Sequence, residues 1–137
     1  MPFSAQHIKA ARLHLMQSDP AMKRLIKRVG PFTARMIPDE NSAAFESLDD
    51  SQVIEKLLAD GLSRQRANEY LMFSLGRLDV LPLSDVRLQT AVADVFELTD
   101  VSEQKLAEVA AKWRPYATIA AWYLIQDQSL QNGKTNK

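Results

Sequence analysis

Residues 57–71 read LLADGLSRQRANEYL, and this stretch decides the fold of the chain. Apolar residues recur at spacings of three and four on both sides of the glycine, which is the pattern of amphipathic helices. Asp60 and Gly61 are residue types that end a helix, and Ser63 is one that caps the start of the next. The stretch therefore predicts two helices joined by a very tight turn, inside a hairpin that spans about residues 49–75.

The same spacing of apolar residues extends through most of the 137-residue chain, which has four glycines and no β-branched runs. These patterns predict an all-α fold, a compact helical bundle with a single domain over residues 1–128. The polar residues 129–137 are predicted to form a flexible tail. The predicted helices cover about residues 4–16, 20–29, 49–59, 64–74, 85–97, 102–112 and 115–128.

Polar side chains at the predicted helix ends indicate the boundaries. Asp19 suits the cap of a helix whose first position is Pro20, where a missing N–H has no cost. Ser47 and Asp50 suit a capping box before the hairpin, and Ser84 suits the cap of the helix that runs to about residue 97. The buried side of the first helix is predicted to contain Ile8, Ala11, Leu13 and Leu15.

Composition excludes several classes of site. The chain has no cysteine, which excludes disulfides, thiolate metal ligands and a cysteine nucleophile. His7 and His14 have no further ligand cluster beside them, so we predict no metal site, and no phosphate-loop pattern or cofactor motif is present. No run of about 18 apolar residues and no apolar leader occur, so we expect no membrane partner and a cytoplasmic location.

Charge is distributed unevenly along a chain whose formal net charge is zero. Residues 1–38 contain seven Lys or Arg and one acid, whereas residues 39–60 contain seven acids and one Lys. The basic residues suit either of two roles: contacts to phosphates, or the solvated face of a helix that pairs with the acidic segment. Zero net charge weakens the case for nucleic acid. The basic cluster consists of Lys23, Arg24, Lys27, Arg28 and Arg35.

The turn Gly61-Leu62-Ser63 has two interpretations. A tight turn before a helix leaves backbone N–H groups free at the helix N-terminus, and these groups with the helix dipole suit a phosphate oxygen. Arg64 and Arg66 stand beside the turn and can add charge-assisted contacts. The alternative is an ordinary connection between antiparallel helices, closed by a C-terminal glycine.

Asp85 lies in the first turn of a predicted helix, after a loop that contains Pro82. A helix N-terminus favours the ionised carboxylate, which can stabilise an oxocarbenium ion and orient a water molecule. The alternative is that Asp85 only starts its helix, since acids are common at that position. Residues 113–116, Trp-Arg-Pro-Tyr, and residues 120–124, Ala-Ala-Trp-Tyr-Leu, taken alone indicate a helix start and aromatic core packing.

In this order, the segments resemble the helix-hairpin-helix DNA glycosylases of the 3-methyladenine glycosylase II type. Residues 71–82, LMFSLGRLDVLP, are similar to the family segment Leu-Phe-Ser-Leu-Gly-Arg-x-Asp-Val-x-Pro. Residues 113–124 are similar to its Trp-Arg-Pro-Tyr-Arg-Ser-x-Ala-Ala-Trp-Tyr-Leu segment, with Ala117 and Thr118 in place of Arg-Ser. Residues 18–31 are similar to its N-terminal Asp-Pro, Leu-Ile and Gly-Pro elements.

The resemblance implies a monofunctional enzyme without a cofactor that hydrolyses the N-glycosidic bond of alkylated bases flipped out of duplex DNA. The catalytic aspartate of the family falls on Asp85, and Ser84 replaces the aspartate before it. The Gly-hydrophobic-Gly turn of the hairpin falls on Gly61, Leu62 and Ser63, where a serine replaces the second glycine. The DNA-binding residues implied are Gly61, Leu62, Ser63, Arg64 and Arg66.

Several family positions carry other residue types here. Gln65 stands where this family has a pocket tryptophan and bifunctional relatives have the Schiff-base lysine, which argues against lyase chemistry and removes a stacking surface. Arg87 replaces a small residue near the aspartate. The residues assigned to the pocket or its frame are Gln65, Tyr70, Trp113, Arg114 and Tyr116.

The match covers about residues 7–32 and 48–126, so only residues 31–47 bridge a gap where the family has several helices. The base pocket would then lack part of its wall, and apolar surface would be covered by rearrangement or by a partner chain, for which a homodimer is one candidate. Three functions stay open: a glycosylase or a reduced homologue of one, a non-catalytic helix-hairpin-helix module that binds DNA or protein, and an inactive remnant. A DNA-binding form would associate with the nucleoid.

Overall fold

The computed structural model describes residues 3–37 and 39–135, with backbone only for residues 133–135. The described part of the chain consists of helices and connections without a strand, as predicted. Short 3-10 turns lie at Ser42–Phe45 and Ala111–Trp113, and a π-turn at Tyr70–Ser74 continues α4. The helices are α1 Ala5–Ser18, α2 Pro20–Val29, α3 Asp50–Ala59, α4 Arg64–Glu69, α5 Val86–Val95, α6 Glu103–Ala110 and α7 Ala117–Thr135.

Helix α7 lies at the centre of the bundle and packs against α1, α2 and α5. Its first half is apolar on nearly every side, which is the pattern of a helix enclosed by others. Residues 117–121 are completely buried there, as are Tyr123 and Leu124. This burial makes α7 the scaffold on which α1, α2 and α5 are arranged.

Asp19 joins α1 to α2, in the role that the sequence predicts. Its backbone N–H donates to the Leu15 carbonyl at the end of α1, and its Oδ1 caps α2 by accepting from the Ala21 N–H at 3.1 Å. Its Oδ2 accepts a hydrogen bond of 3.1 Å from the indole Nε1 of the fully buried Trp113. The buried carboxylate is therefore satisfied from two directions.

The hairpin has the predicted shape but a different capping box. Asp49 caps α3, and the side chains of Asp49 and Gln52 bond each other's backbone N–H groups, so the prediction of Ser47 and Asp50 is wrong by two positions. Gly61 ends α3 with φ of 98°, a conformation that favours glycine, and Ser63 caps α4.

Residues 31–37 belong to the short segment that is predicted to bridge a gap in the fold. They form extended chain that lies against the hairpin. The Ile37 N–H donates to the Phe73 carbonyl at 2.7 Å, and the Phe32 ring lies 4.6 Å from that of Trp122. Arg77 secures the following turn by donating to the carbonyls of Phe45 and Leu48 at 3.0 and 2.8 Å. The shortened segment thus packs onto its own chain.

Three further predictions differ from the structure. Leu13 is 55% exposed rather than buried, because it lies two residues from both Ala11 and Leu15 and so faces away from their side of the helix. Helix α7 begins at Ala117 rather than at Pro115 and continues to Thr135, so residues 129–135 of the predicted tail are helical. Residues 136 and 137 lie outside the described residues. Among the described residues, no helix is long and apolar enough to cross a membrane.

Candidate functional site

Asp85 lies at the start of α5 and is almost enclosed, with its side chain 3% exposed. It is the N-cap of the helix, since Oδ1 accepts from the Arg87 backbone N–H at 2.9 Å. The prediction that Ser84 caps this helix is therefore wrong by one residue. As a result, the carboxylate is held by the first turn of α5 and has little freedom to move.

The Arg87 guanidinium closes over the Asp85 carboxylate. Its Nη2 donates to Oδ2 at 2.7 Å and its Nε donates to Oδ1 at 3.2 Å, which is the two-point geometry that strengthens such pairs. The same Nη2 donates to Oε1 of Glu69 on α4 at 3.1 Å. One guanidinium therefore joins two carboxylates from different helices.

The carboxyl of Asp85 is ionised at neutral pH. Burial alone would raise its pKa, but the hydrogen bonds and the positive charge of Arg87, with the backbone N–H groups of the helix start, hold that pKa below its usual value. The site thus offers a buried negative charge that is already paired with a positive one.

A cleft of about 290 Å³ opens beside this pair. Its volume is just below the range of small-molecule pockets, which span about 300–1,000 Å³. Trp122 and Phe73 supply aromatic surface, and Arg35 and Glu69 add charge to the lining. The remaining lining residues are Ala34, Ile37, Asn68, Met72, Pro82, Ile125 and Gln126.

The turn between α3 and α4 lies outside that cleft lining. Gly61 is exposed, and Leu62 donates its N–H to the Leu57 carbonyl at 3.1 Å. Ser63 has φ of −71° and its Oγ accepts from the Arg66 N–H at 3.2 Å, so a serine is unstrained where the family has glycine. Arg64 and Arg66 are exposed beside the turn, and neither forms an ion pair with the described residues.

Gln65 and Tyr70 lie on the hairpin but not in the cleft lining. Gln65 is exposed, and its Nε2 donates to Oε1 of Glu69 at 3.2 Å. The ring of Tyr70 packs edge-on against that of Phe45 at 5.5 Å. Burial and the nearby Asp39 carboxylate raise the pKa of Tyr70 to about 12.

Trp113, Arg114 and Tyr116 belong to the frame of the bundle, not to the cleft lining. Trp113 is buried, and Arg114 pairs with the Asp79 carboxylate at 2.8 Å on the surface. The Tyr116 ring lies 5.6 Å from that of His14 on α1.

Two members of the basic cluster, Arg28 and Arg35, lie at different sites. Arg28 pairs with the buried Asp127 of α7 through bonds of 2.7 and 2.9 Å, so the predicted pairing with the acidic segment is wrong for this residue. Asp50 of the acidic segment pairs instead with Arg77 at 2.7 Å. Arg35 lines the cleft, because the extended segment crosses it.

Glu69 and Trp122 are the site residues that the sequence analysis missed. Glu69 lies four positions after Gln65, on the same side of a helix, and that spacing is a signal that connects it to the hairpin. Trp122 was predicted to belong to the core, and the spacing of residues along the last helix does not indicate that it borders a cleft. Its place depends on how α7 meets the segment before α3.

Comparison with known proteins gives related sequences and a related fold. No protein-family model matches the chain. The alkylbase DNA glycosidase-like protein mag2 of Schizosaccharomyces pombe is 33% identical over 94 residues, which are 67% of this chain and 43% of mag2. The putative DNA-3-methyladenine glycosylase YfjP of Bacillus subtilis is 31% identical over 96 residues, which are 67% of this chain and 33% of YfjP. The chain spans less than half the length of these curated relatives.

A solved structure has the same fold. It is that of Schizosaccharomyces pombe 3-methyladenine DNA glycosylase Mag1 in complex with abasic DNA, with a TM-score of 0.74. The match covers 85% of this chain and 95% of that one at 18% sequence identity. The all-α fold predicted from the sequence is therefore confirmed, and this solved structure shares it.

Proposed function

Because the chain belongs to the 3-methyladenine DNA glycosylase-like family, we propose that it hydrolyses the N-glycosidic bond of alkylated bases in duplex DNA. The observation that carries the proposal is Asp85, a buried and ionised carboxylate at the edge of a cleft. Carboxylates in such settings stabilise positive charge that develops in a transition state. We assign Asp85 the catalytic role.

The chemistry suits a carboxylate and water without a cofactor. In an alkylated purine nucleoside the base carries a positive charge. The base therefore leaves as a neutral molecule with the electron pair of the C1′–N bond. The sugar becomes an oxocarbenium ion that Asp85 stabilises. A water oxygen then bonds to C1′, and its proton passes to solvent, which leaves an abasic site.

The cleft would receive the flipped base. Trp122 and Phe73 offer aromatic surface for stacking, in place of the tryptophan that is absent at Gln65. The extended segment with Ala34 and Arg35 forms one wall, where the family has additional helices. This arrangement supports a smaller base pocket than that of the longer relatives.

We assign DNA binding to the turn Gly61-Leu62-Ser63 as a helix-hairpin-helix element. The Gly61 and Leu62 N–H groups already donate to the Leu58 and Leu57 carbonyls, so the phosphate contacts would come from the N–H groups at the start of α4, with Arg64 and Arg66 adding positive charge. Both arginines are exposed and have no acidic partner among the described residues, which supports this role. The homodimer and the cytoplasmic or nucleoid location predicted from the sequence stay predictions.

A second function is favoured by one observation. The Asp85 carboxylate is occupied by Arg87 at 2.7 Å, as in a structural ion pair. A chain that keeps this pair closed would be a non-catalytic module that binds DNA through the hairpin. The two functions share duplex binding and differ in base release.

The test is release of methylated purines from alkylated duplex DNA under enzyme excess. We expect release by the wild type and a loss of about 100-fold or more for Asp85→Asn, the order of magnitude found when one stabilising group is removed. Asp94→Asn, an exposed carboxylate on the same helix, is the matched control and should keep the wild-type rate.

Duplex binding in the same samples separates the two functions. A folded wild type that binds duplex and releases no base would overturn the catalytic proposal in favour of the binding module. If Asp85→Asn releases the base at the wild-type rate, base release by the protein stands but Asp85 has no catalytic role. A folded protein that neither binds duplex DNA nor releases a base would indicate an inactive remnant.

A further inference from the structure

We propose that Arg87 is a gate on Asp85, held between two carboxylates, and that a positively charged substrate in the cleft displaces it onto Glu69. This inference rests on the proposed function and specifies its regulation: the carboxylate becomes available only when a cation replaces the guanidinium. The cleft would then favour cationic lesions over neutral ones. Glu69 is a positioning residue, which acts through Arg87.

The first support is that Arg87 has two partners at once. Its Nη2 donates to Oδ2 of Asp85 at 2.7 Å and to Oε1 of Glu69 at 3.1 Å. The guanidinium can therefore leave Asp85 without losing every charged partner. A guanidinium has five N–H donors, so Glu69 can accept more than one of them when Asp85 is released.

The second support is the difference in freedom among the three side chains. The side chain of Asp85 is 3% exposed and fixed by its bond to the helix start, whereas those of Glu69 and Arg87 are 38% and 47% exposed. Of the pair at the cleft, only the arginine has room to move. The solvated glutamate gives it a place to go at small desolvation cost.

The third support is charge balance in the cleft. A buried carboxylate without a partner is strongly unfavourable, so Arg87 leaves Asp85 only when another positive charge takes its place. An alkylated purine or an oxocarbenium ion supplies that charge, and a neutral base does not. Both Asp85 and Glu69 line the cleft with Arg87, so this exchange takes place inside one site.

The test uses two duplexes that differ in charge at the abasic position. One carries a pyrrolidine abasic analogue, which is cationic, and the other carries a neutral tetrahydrofuran analogue. Dissociation constants are measured by fluorescence anisotropy for the wild type, Arg87→Gln, Glu69→Gln and the double variant. Glu108→Gln, an exposed glutamate on α6, is the control for loss of a surface charge.

Removal of the gate should strengthen binding of the cation. We expect Arg87→Gln to bind the pyrrolidine duplex about tenfold more tightly, the factor for one charged hydrogen-bonded pair, with little change for the tetrahydrofuran duplex. Glu69→Gln should weaken binding of the pyrrolidine duplex several-fold, because Arg87 then has no second partner. In the Arg87→Gln background, Glu69→Gln should have no effect.

The double variant separates positioning from a simple charge effect. If Glu69 only adds negative potential to the cleft, its substitution weakens cation binding equally in both backgrounds, and the gate is overturned. Unchanged or weaker pyrrolidine binding in Arg87→Gln also overturns it. Arg87→Lys, which keeps the charge but loses the two-point geometry, is a second variant and should bind the cation with intermediate affinity.

Failure of the proposed function has a different outcome. If the wild type and all variants bind neither analogue better than an unmodified duplex, the proposed function fails and the gate fails with it. If the wild type distinguishes the two analogues but Arg87→Gln does not improve cation binding, the gate alone fails.

Discussion

The Asp79 carboxylate accepts a hydrogen bond of 3.1 Å from the Ala117 backbone N–H, so α7 is capped by a residue 38 positions earlier in the chain. The Thr118 hydroxyl reinforces this junction by donating to the Arg77 carbonyl at 2.6 Å and accepting from the Val80 N–H at 2.9 Å. Residues of the two motif segments, 71–82 and 113–124, therefore hold α7 against the chain that leads to Asp85. Their role is to position the cleft, because Trp122 follows on the same helix.

Asp79→Ala should lower the free energy of unfolding by about 1–2 kcal/mol, the range for loss of a helix cap, since Arg114 and the start of α7 both lose a partner. Asp79→Asn keeps an acceptor for the Ala117 N–H and should cost less. The measurement is urea unfolding followed by far-UV circular dichroism. Equal losses for the two variants would contradict the capping role and leave only the surface ion pair.

Gly61→Ala should destabilise the hairpin by about 1–2 kcal/mol, because a side chain at positive φ is strained. The φ of 98° is the cause, since an added Cβ would have no atom within 4 Å. Ser63→Gly, which restores the residue of the family, should cost only a few tenths of a kcal/mol, and Ser63→Ala about 1 kcal/mol. A larger loss for Ser63→Gly than for Gly61→Ala in thermal unfolding would contradict this assignment.

Arg64→Gln and Arg66→Gln should each weaken duplex binding for any base sequence, if the hairpin binds phosphates. Each lost phosphate contact should reduce the slope of log affinity against log salt concentration by about 1. The measurement is anisotropy of a labelled duplex over a salt series. Lys105→Gln on α6 is the control, and an equal change of slope in that variant would indicate binding without a defined surface.

The pH dependence of stability should change when Tyr70 is replaced by phenylalanine. The folded-state pKa of Tyr70 is raised to about 12, first by burial and then by Asp39, whereas an unfolded tyrosine has a pKa of about 10. The neutral phenol is therefore favoured in the fold. Its contribution is complete below pH about 10 and is lost as the pH rises towards about 12.

The measurement for Tyr70→Phe is the free energy of unfolding between pH 8 and 12, compared with the wild type, with absorbance of phenolate as the direct record of titration. The variant should lose part of the alkaline decline in stability. Tyr123, whose pKa is also raised by burial, keeps its own contribution in both proteins. Identical pH profiles for the two proteins would show that the fold does not raise the pKa of Tyr70.

Most helix boundaries could be predicted, because capping and helix termination depend on neighbouring residues. Asp19 and Ser63 cap the helices that their types and positions indicate. The errors at Ser47 and Ser84 are shifts of one or two residues, since more than one polar residue near each boundary suits a cap. The error at the start of α7, which begins at Ala117, is of another kind, because the residue that caps this helix comes from a distant part of the chain.

Only part of the site could be predicted. Asp85 and the turn at Gly61 were identified from local pattern and family resemblance, and the structure places Asp85 at a cleft. Glu69 was missed, because its bond to Arg87 joins residues 18 positions apart on two helices. Periodicity shows which side of a helix is polar, but not which polar group on another helix it meets.

The sequence alone determined the helical class, the hairpin and the family, because these depend on short-range spacing and on ordered motifs. The tertiary structure alone decided the condition of the site: Arg87 closes over Asp85, Glu69 shares its guanidinium, and residues 31–37 form a wall of the cleft. The physical reason is that local backbone geometry follows from adjacent residues, whereas the partner of a buried charge is set by whichever group the packed helices bring within hydrogen-bond distance.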